Sequence, residues 1–191
     1  MIVEPITTGH DCARFDCTEA WMVSPEDREA AAEMNIFLRR HALDQAKTGI
    51  SRTFVLRDDQ AEEPQRVVGY YSASAGHLQP RELPKVVSEQ MTIPVVFLQR
   101  LAIDKDFQHR GLGTKLLVHF LVSLVRVADD IGVYALVLEP LNARVDAFYR
   151  QFGLFPLPED PSHLYVRIRD VRAWLLAHGH GRLCDTGMRS P

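Results

Sequence analysis

Seven consecutive residues, Gln108-His109-Arg110-Gly111-Leu112-Gly113-Thr114, carry the clearest chemistry in the chain. They follow an apolar run, Pro94 to Ile103, that suits a mostly buried strand. They precede Leu116, Leu117, Phe120, Leu121, Leu124 and Ala128, which are apolar at helical spacing. A strand, a glycine-bearing turn and a helix N-terminus make an anion site. First-turn amides lack partners within the helix, and the helix dipole favours negative charge there. Gly111 and Gly113 let a phosphate approach the backbone with no Cβ in the way. The dinucleotide fingerprint G-x-G-x-x-G fails, because Leu116 stands where the third glycine belongs. The Walker loop fails as well, because Thr114 precedes Lys115 instead of following it. What remains is the pattern Q/R-x-x-G-x-G, which Gln108 to Gly113 satisfies.

A second segment has similar punctuation. Asn142, Val145, Tyr149, Gly153 and Leu154 follow a strand-like run, Val133 to Leu138. Asn142 can cap a helix N-terminus and Gly153 can end that helix at its C-terminal side. Tyr149 has two readings from its neighbours alone. Val145, Phe148, Tyr149 and Phe152 form one apolar stripe in which a tyrosine packs well. Its phenol can equally deliver a proton to a leaving group.

The elements that must position these residues can be read along the chain. Val3 to Cys17 is mixed and suits loop, strand or a first helical turn. Ser24-Pro25-Glu26-Asp27 announces a helix, with Ser24 as cap, Pro25 at the first helical position and acids in the first turn. Met34, Phe37, Leu38 and Ala42 give that helix one buried stripe ending near Gly49. Thr53 to Arg57 and Arg66 to Ser74 read as a hairpin around an acidic turn, Asp58 to Pro64. His77 to Thr92 contains Pro80 and Pro84 and reads as a surface excursion. Then come strand 94–103, helix 111–130, strand 133–139, helix 142–152 and strand 163–169. Pro156, Pro158 and Pro161 fix an extended loop before the last strand. The expected fold class is α/β: a single domain over 1–176 with a central mixed sheet flanked by helices. Residues 177–191 are expected to be a poorly ordered tail.

Composition narrows the function classes. The 191 residues suit one domain, and 46% hydrophobic with 25% charged residues is ordinary globular composition. No apolar run approaches the ~20 residues needed to span a bilayer. Met1 to His10 lack a basic stretch followed by an apolar one, so no signal peptide is expected. Cys12, Cys17 and Cys184 are odd in number and lack metal-ligand spacing, which suits a reducing cytoplasm. His178-Gly179-His180 has no Cys or carboxylate pattern beside it, and no metal site is expected. A net charge of −3 argues against a uniformly basic nucleic-acid binder. Local basic groups exist at Arg100 to Lys115, at Arg39, Arg40, His41 and Lys47, and at Arg167, Arg169 and Arg172. Solvated surface is the ordinary reading of such groups.

The Gln108 to Gly113 hexamer resembles the acetyl-coenzyme A pyrophosphate loop of the GNAT N-acetyltransferase superfamily. Asn142 to Leu154 resembles the N-x-x-A-x-x-x-Y-x-x-x-G-F segment that lies downstream in those enzymes, with Val145 and Leu154 as departures that keep the apolar character. The resemblance implies acetyl-CoA as co-substrate. It implies that the main-chain amides of His109, Arg110, Gly111, Leu112, Gly113 and Thr114 hold the pyrophosphate, with Gln108 opening the motif. Leu101, Ala102 and Ile103 would present strand backbone to the pantetheine arm, and Asn142 would contact the cofactor while capping its helix. Tyr149 would be the general acid that protonates the departing thiolate.

One branch is more similar still. Phe15-x-Cys17, Asn35-x-Phe37-Leu38-Arg39-Arg40-His41-Ala42, Ser51 to Leu56, Val68 to Tyr71, Ile93 to Val95 and Arg100 to Asp104 resemble the GNAT toxins of bacterial toxin–antitoxin pairs. Those toxins acetylate the α-amine of the amino acid on charged tRNA and halt translation. The implied partners are aminoacyl-tRNA as substrate, a ribbon-helix-helix antitoxin and a second copy of the chain as a homodimer, with no membrane among them. An α-amino group of pKa ~8 is partly neutral at cellular pH and needs little help from a base, whereas a lysine amine of pKa ~10.4 needs far more. Two alternatives stay open. Glu26, Asp27, Glu29 and Glu33 would favour a cationic acceptor, which fits a small amine or a protein N-terminus. A regulatory module that binds acyl-CoA without turnover is the other.

Overall fold

The computed structural model describes residues 1–19, 22, 24–59, 62–63, 65–79, 82 and 92–181. Seven strands form one mixed sheet: β1 (Ile2–Pro5), β2 (Arg52–Arg57), β3 (Val67–Leu78), β4 (Ile93–Ile103), β5 (Ala135–Leu138), β6 (Phe155–Pro156) and β7 (Leu164–Arg167), in the order β1-β2-β3-β4-β5-β7-β6. β1 to β2 and β2 to β3 are antiparallel, β4 to β5 is parallel, and β7 lies antiparallel to both β5 and β6. The α/β class with a mixed sheet and flanking helices is therefore as the sequence implied. The chain is built as two compact units. The first is Met1–Ser74 with Leu98–His119; the second is Ala75–Phe97 with the chain from Phe120 onward.

In the first unit the strands bury both faces. Tyr70 and Tyr71, neighbours on β3, point to opposite sides as strand alternation requires, and both are fully buried. Tyr70 meets Phe15 edge-on at 5.4 Å and stacks on Phe37 at 6.1 Å, and its hydroxyl donates to Met34 O at 2.9 Å. Tyr71 stacks on Phe54 of β2 at 5.1 Å, in register with it, and its hydroxyl is hydrogen-bonded to His119 Nδ1 at 3.1 Å. Gly69, on the Tyr71 face, is where Ile103 and Leu116 approach the strand most closely.

The first helix departs from the sequence expectation. α1 (Pro25–Ile36) begins as expected, with Ser24 Oγ accepting from Asp27 N at 3.0 Å. It does not continue as one α-helix to Gly49. A π turn, Phe37–His41, intervenes before α2 (Ala42–Thr48), which Gly49 ends at φ 78°. The wider turn lets Phe37, Leu38 and Ala42 all be buried while Arg39, Arg40 and His41 stay exposed. An apolar pattern at 37, 38 and 42 fits either winding, so spacing alone could not reveal the π turn.

In the second unit Leu78, Ile93, Val95, Ala135, Val137 and Leu157 form one core, with Phe97, Tyr134 and Tyr165 packed against it. α3 (Leu112–Asp130) begins in the first unit and ends in this one. α4 (Ala143–Arg150) follows β5. The last strand ends at Arg167, not at 169, and α5 (Ile168–Ala177) follows directly, burying Ile168, Val171 and Leu175 at helical spacing. His178 then stacks on Trp174 at 4.1 Å, so the chain just past α5 packs back onto the helix. β3 runs through His77 and Leu78, beyond the expected end at Ser74. Part of the acidic turn, most of the surface excursion up to Thr92, and residues 182–191 lie outside the described residues.

At Gly69 an added Cβ would lie 2.7 Å from Ile103 Cδ1, 3.0 Å from Leu116 Cδ1 and 3.2 Å from the Ala102 carbonyl oxygen. Methyl groups can rotate away, but a strand carbonyl cannot. Gly69→Ala is therefore expected to destabilise the fold by about 1–3 kcal/mol, read as a lower thermal midpoint.

Candidate active site

The turn between β4 and α3 is held from behind and open in front. A short 3₁₀ turn, Lys105–Phe107, leads from the strand into Gln108. His109 then takes φ 59° and Gly111 φ 73°, two left-handed residues that reverse the chain into α3. The first is unusual for a residue with a Cβ; the second suits glycine. Lys115 N donates to Gly111 O at 3.1 Å, which closes the first turn of α3. The amides of Leu112, Gly113 and Thr114 thus belong to the turn that helix geometry leaves without intrahelical acceptors. No acidic side chain occupies that turn, whereas Ser24 and Asn142 cap α1 and α4. His109, Arg110, Gly111 and Thr114 are exposed.

Three side chains of the loop have partners on or beside it. Gln108 Nε2 donates to Ile103 O at 3.0 Å and Cys17 O at 3.2 Å, so this side chain braces the turn. Arg110 donates to Asp106 O at 2.8 Å and lies over the Phe107 ring at 5.3 Å, and His109 Nε2 is 3.6 Å from Glu19 Oε2. Behind the loop, Lys105 Nζ donates to Asp16 Oδ2 at 2.9 Å. Asp16 Oδ1 accepts from Asn35 Nδ2 at 3.0 Å and Thr18 N at 3.1 Å. Burial alone would raise the Asp16 carboxyl, but Lys105, Thr18 and Asn35 together hold it well below the usual carboxylate range.

Leu101, Ala102 and Ile103 form the end of β4, with Ala102 and Ile103 buried. The β4–β5 ladder covers Val95 to Phe97, and β4 runs on past it to Ile103. These residues and the 108–114 turn are contiguous parts of the first unit. Tyr149 and Asn142 belong to the second unit.

Asn142 caps α4, its Oδ1 accepting from Arg144 N and Val145 N at 3.1 Å each. Tyr149 is buried on that helix and meets Phe148 edge-on at 5.3 Å. Its hydroxyl has no hydrogen-bond partner among the described residues, in contrast to Tyr70 and Tyr71. Burial pushes the Tyr149 phenol well above the ordinary tyrosine range, so it stays protonated. α4 ends at Arg150 with Gln151 as its C-cap, short of the expected end at 152, and Gly153 takes φ 79° in the turn that follows.

Other residues singled out by sequence are structural. Phe15, Cys17, Asn35 and Phe37 surround Tyr70 or the Asp16 carboxylate, and Cys17 N donates to Asn35 Oδ1 at 3.0 Å. Burial first, and nearby Asp16 second, push the Cys17 thiol up to about 12; burial and Asp11 push Cys12 up to about 11. Neither is an activated nucleophile. Arg167 and Arg169 pair with Asp170, and Arg172 with Asp129. No group of three metal-ligand side chains occurs among the described residues, and no described helix is long and apolar enough to cross a membrane. Sequence reasoning missed Asp104, Asp16 and Arg66 as members of the loop's support. The available signal was an Asp directly after a buried strand.

Comparison with known proteins places these features in context. The model of the Acetyltransferase (GNAT) family matches residues 13–154. A tRNA-acetylating toxin of Mycobacterium tuberculosis is 37% identical over 139 residues, 72% of this chain and 81% of that protein. Among solved structures, AtaT complexed with acetyl-methionyl-tRNAfMet is 26% identical, with a TM-score of 0.75 over 90% of this chain and 97% of that one. A tyrosine-to-phenylalanine mutant of AtaT, bound to the C-terminus of the antitoxin AtaR and acetyl-CoA, is 26% identical with a TM-score of 0.71, covering 90% of this chain and 96% of that one.

The Asp16 carboxylate makes the stability of the loop's support depend on pH. A folded-state carboxyl held below its unfolded value stabilises the fold above that unfolded value, about 4, and the contribution is lost as pH falls through the folded one. Asp16→Asn should therefore be less stable than the parent by about 1–2 kcal/mol at pH 7. Chemical denaturation across pH should show that gap shrinking below about pH 4.

Proposed function

The chain belongs to the Acetyltransferase (GNAT) family, and from that premise we propose that it acetylates the α-amine of aminoacyl-tRNA, with Tyr149 as the general acid. Acetyl-CoA is its co-substrate, supplying the acetyl group and a thiolate leaving group. The observation that carries the choice of acceptor is the 37% identity to a tRNA-acetylating toxin over most of both chains. The residues fit such a donor: an exposed left-handed turn, first-turn amides without a capping acid, and no heavy atom within 4 Å of where a Gly111 Cβ would sit.

In this reading the amides from His109 to Thr114 bind the pyrophosphate, Gln108 fixes the turn, and Leu101 to Ile103 offer main chain to the pantetheine arm. Asn142 orients α4 by its cap and so sets the direction of Tyr149. The phenol, protonated and without a partner, is available to give its proton at the moment the thiolate departs. An α-amine needs no strong base, in keeping with its pKa of about 8. Electrostatics also support a nucleic-acid acceptor. Arg39, Arg40, Lys47 and Arg52 make no ion pair with a carboxylate among the described residues, although Arg39 donates to Phe15 O and Arg52 to Ala46 O, and such cations attract phosphates. By the same likeness to AtaT, an antitoxin would be the regulatory partner.

A second reading, acetylation of a small amine or a protein N-terminus, is favoured by one observation. Glu26, Glu29 and Glu33 lie on the exposed side of α1 and would attract a cationic acceptor.

Incubation with labelled acetyl-CoA and total charged tRNA distinguishes the two. Label is expected in the RNA, with arrested growth of cells that express the protein; label only in small amines or peptides selects the second reading. Tyr149→Phe is expected to lower kcat by about 10²–10⁴ with acetyl-CoA binding unchanged. A variant that turns over at the parent's rate removes the acid assignment and leaves the fold and family intact.

A further inference from the structure

We propose that Asp104 is a positioning residue for the donor's diphosphate, its buried carboxylate fixing the turn whose main-chain amides bind that group. The inference rests on the reading of residues 109–114 as the diphosphate loop. Asp104 is 1% exposed and is the one buried carboxylate among the described residues. It directly follows β4, where the chain leaves the sheet for the loop.

Its two oxygens join three segments. Oδ1 accepts from Asp106 N at 3.1 Å and from Arg66 Nη2 at 3.2 Å, and Oδ2 accepts from Asp16 N at 3.1 Å. Its own amide donates to Val68 O at 2.9 Å, and its carbonyl accepts from Phe107 N at 2.8 Å. Lys105 N completes the junction by donating to Asp16 O at 2.7 Å. From Arg66 the chain of contacts reaches the loop itself. That guanidinium also donates to Asp106 Oδ2 at 2.8 Å and lies over Phe107 at 5.2 Å, while Arg110 lies over the same ring at 5.3 Å.

A buried ion pair is weak evidence for a stability role, because an apolar pair of similar volume often does as well. What a hydrogen-bonded carboxylate adds is direction. Each oxygen accepts along defined lines, so the pair admits one exit path from β4 where packing alone would admit several. Main-chain anion sites depend on such preorganisation, since a loop that must be ordered by its ligand binds it more weakly.

The test uses the full chain and two variants. Asp104→Asn keeps the shape and removes the charge. Lys105→Met removes only the exposed arm to Asp16 and should fold like the parent. Calorimetry gives the Kd for acetyl-CoA and for acetyl-pantetheine, which has the thioester but no diphosphate. For Asp104→Asn the acetyl-CoA Kd should rise about tenfold to a hundredfold and the acetyl-pantetheine Kd by less than about twofold. Lys105→Met should raise the acetyl-CoA Kd about twofold to fivefold with the thermal midpoint lowered by no more than a few degrees, since the pair is largely exposed. The proposal is overturned if both ligands weaken together, or if a folded Asp104→Asn binds acetyl-CoA like the parent. Should Asp104→Asn not fold, an unchanged Kd in Lys105→Met overturns it. Failure of the parent itself to bind acetyl-CoA would sink the diphosphate reading, and this proposal with it.

Discussion

Amides that are offered to a ligand cannot also hold their own loop together. Between Ile103 and Leu112 the chain must leave a buried strand, reverse through two left-handed residues and start a helix, with its outward N–H groups left open. Order must then come from side chains and from neighbouring segments. Gln108 supplies part of it by bridging Ile103 O and Cys17 O, and Lys105 supplies more through Asp16. Arg110, though exposed, is tied to Asp106 O and lies over the Phe107 ring. The N-terminal stretch around Phe15 to Thr18 is therefore a working part of the loop, although some ninety residues separate them in sequence.

The same logic separates the three buried tyrosines. Tyr70 and Tyr71 each find a partner for the hydroxyl, Met34 O and His119 Nδ1, as buried phenols ordinarily do. Tyr149 packs against Phe148 and has no such partner among the described residues. That difference is what sets Tyr149 apart as the proposed acid.

Much of this was legible in the residues themselves. Ser24, Asn142 and Gly49 mark helix ends by local chemistry and act there as their residue types require, whereas Gly153 takes its left-handed φ in the turn beyond α4. The strands around the loop were readable because buried apolar runs bounded by turn residues leave few other assignments. The π turn at Phe37–His41 was not readable, because two windings bury the same three residues. α5 was not read either; Ile168, Val171 and Leu175 have helical spacing, but they continue a strand-like run without a break signal between them. The support of the loop was hidden for a different reason. Asp16, Arg66 and Asp104 are far apart in sequence, and only tertiary pairing makes them one cluster.

Net charge is a poor guide to the acceptor, because salt makes electrostatics local. At physiological ionic strength the screening length is about 8 Å. Glu26 and Arg40 are separated by most of α1 and the π turn, roughly 20 Å at about 1.5 Å per residue. The acids at the start of α1 therefore scarcely weaken Arg39 and Arg40, which follow it. Of the acids in α1 only Glu33 comes within about one screening length of Arg39, and Asp44 in the first turn of α2 lies at least as close to Arg40. A chain of charge −3 can accordingly carry a local pair of arginines, Arg39 and Arg40, beyond an α1 whose charged residues are acidic except for Arg28.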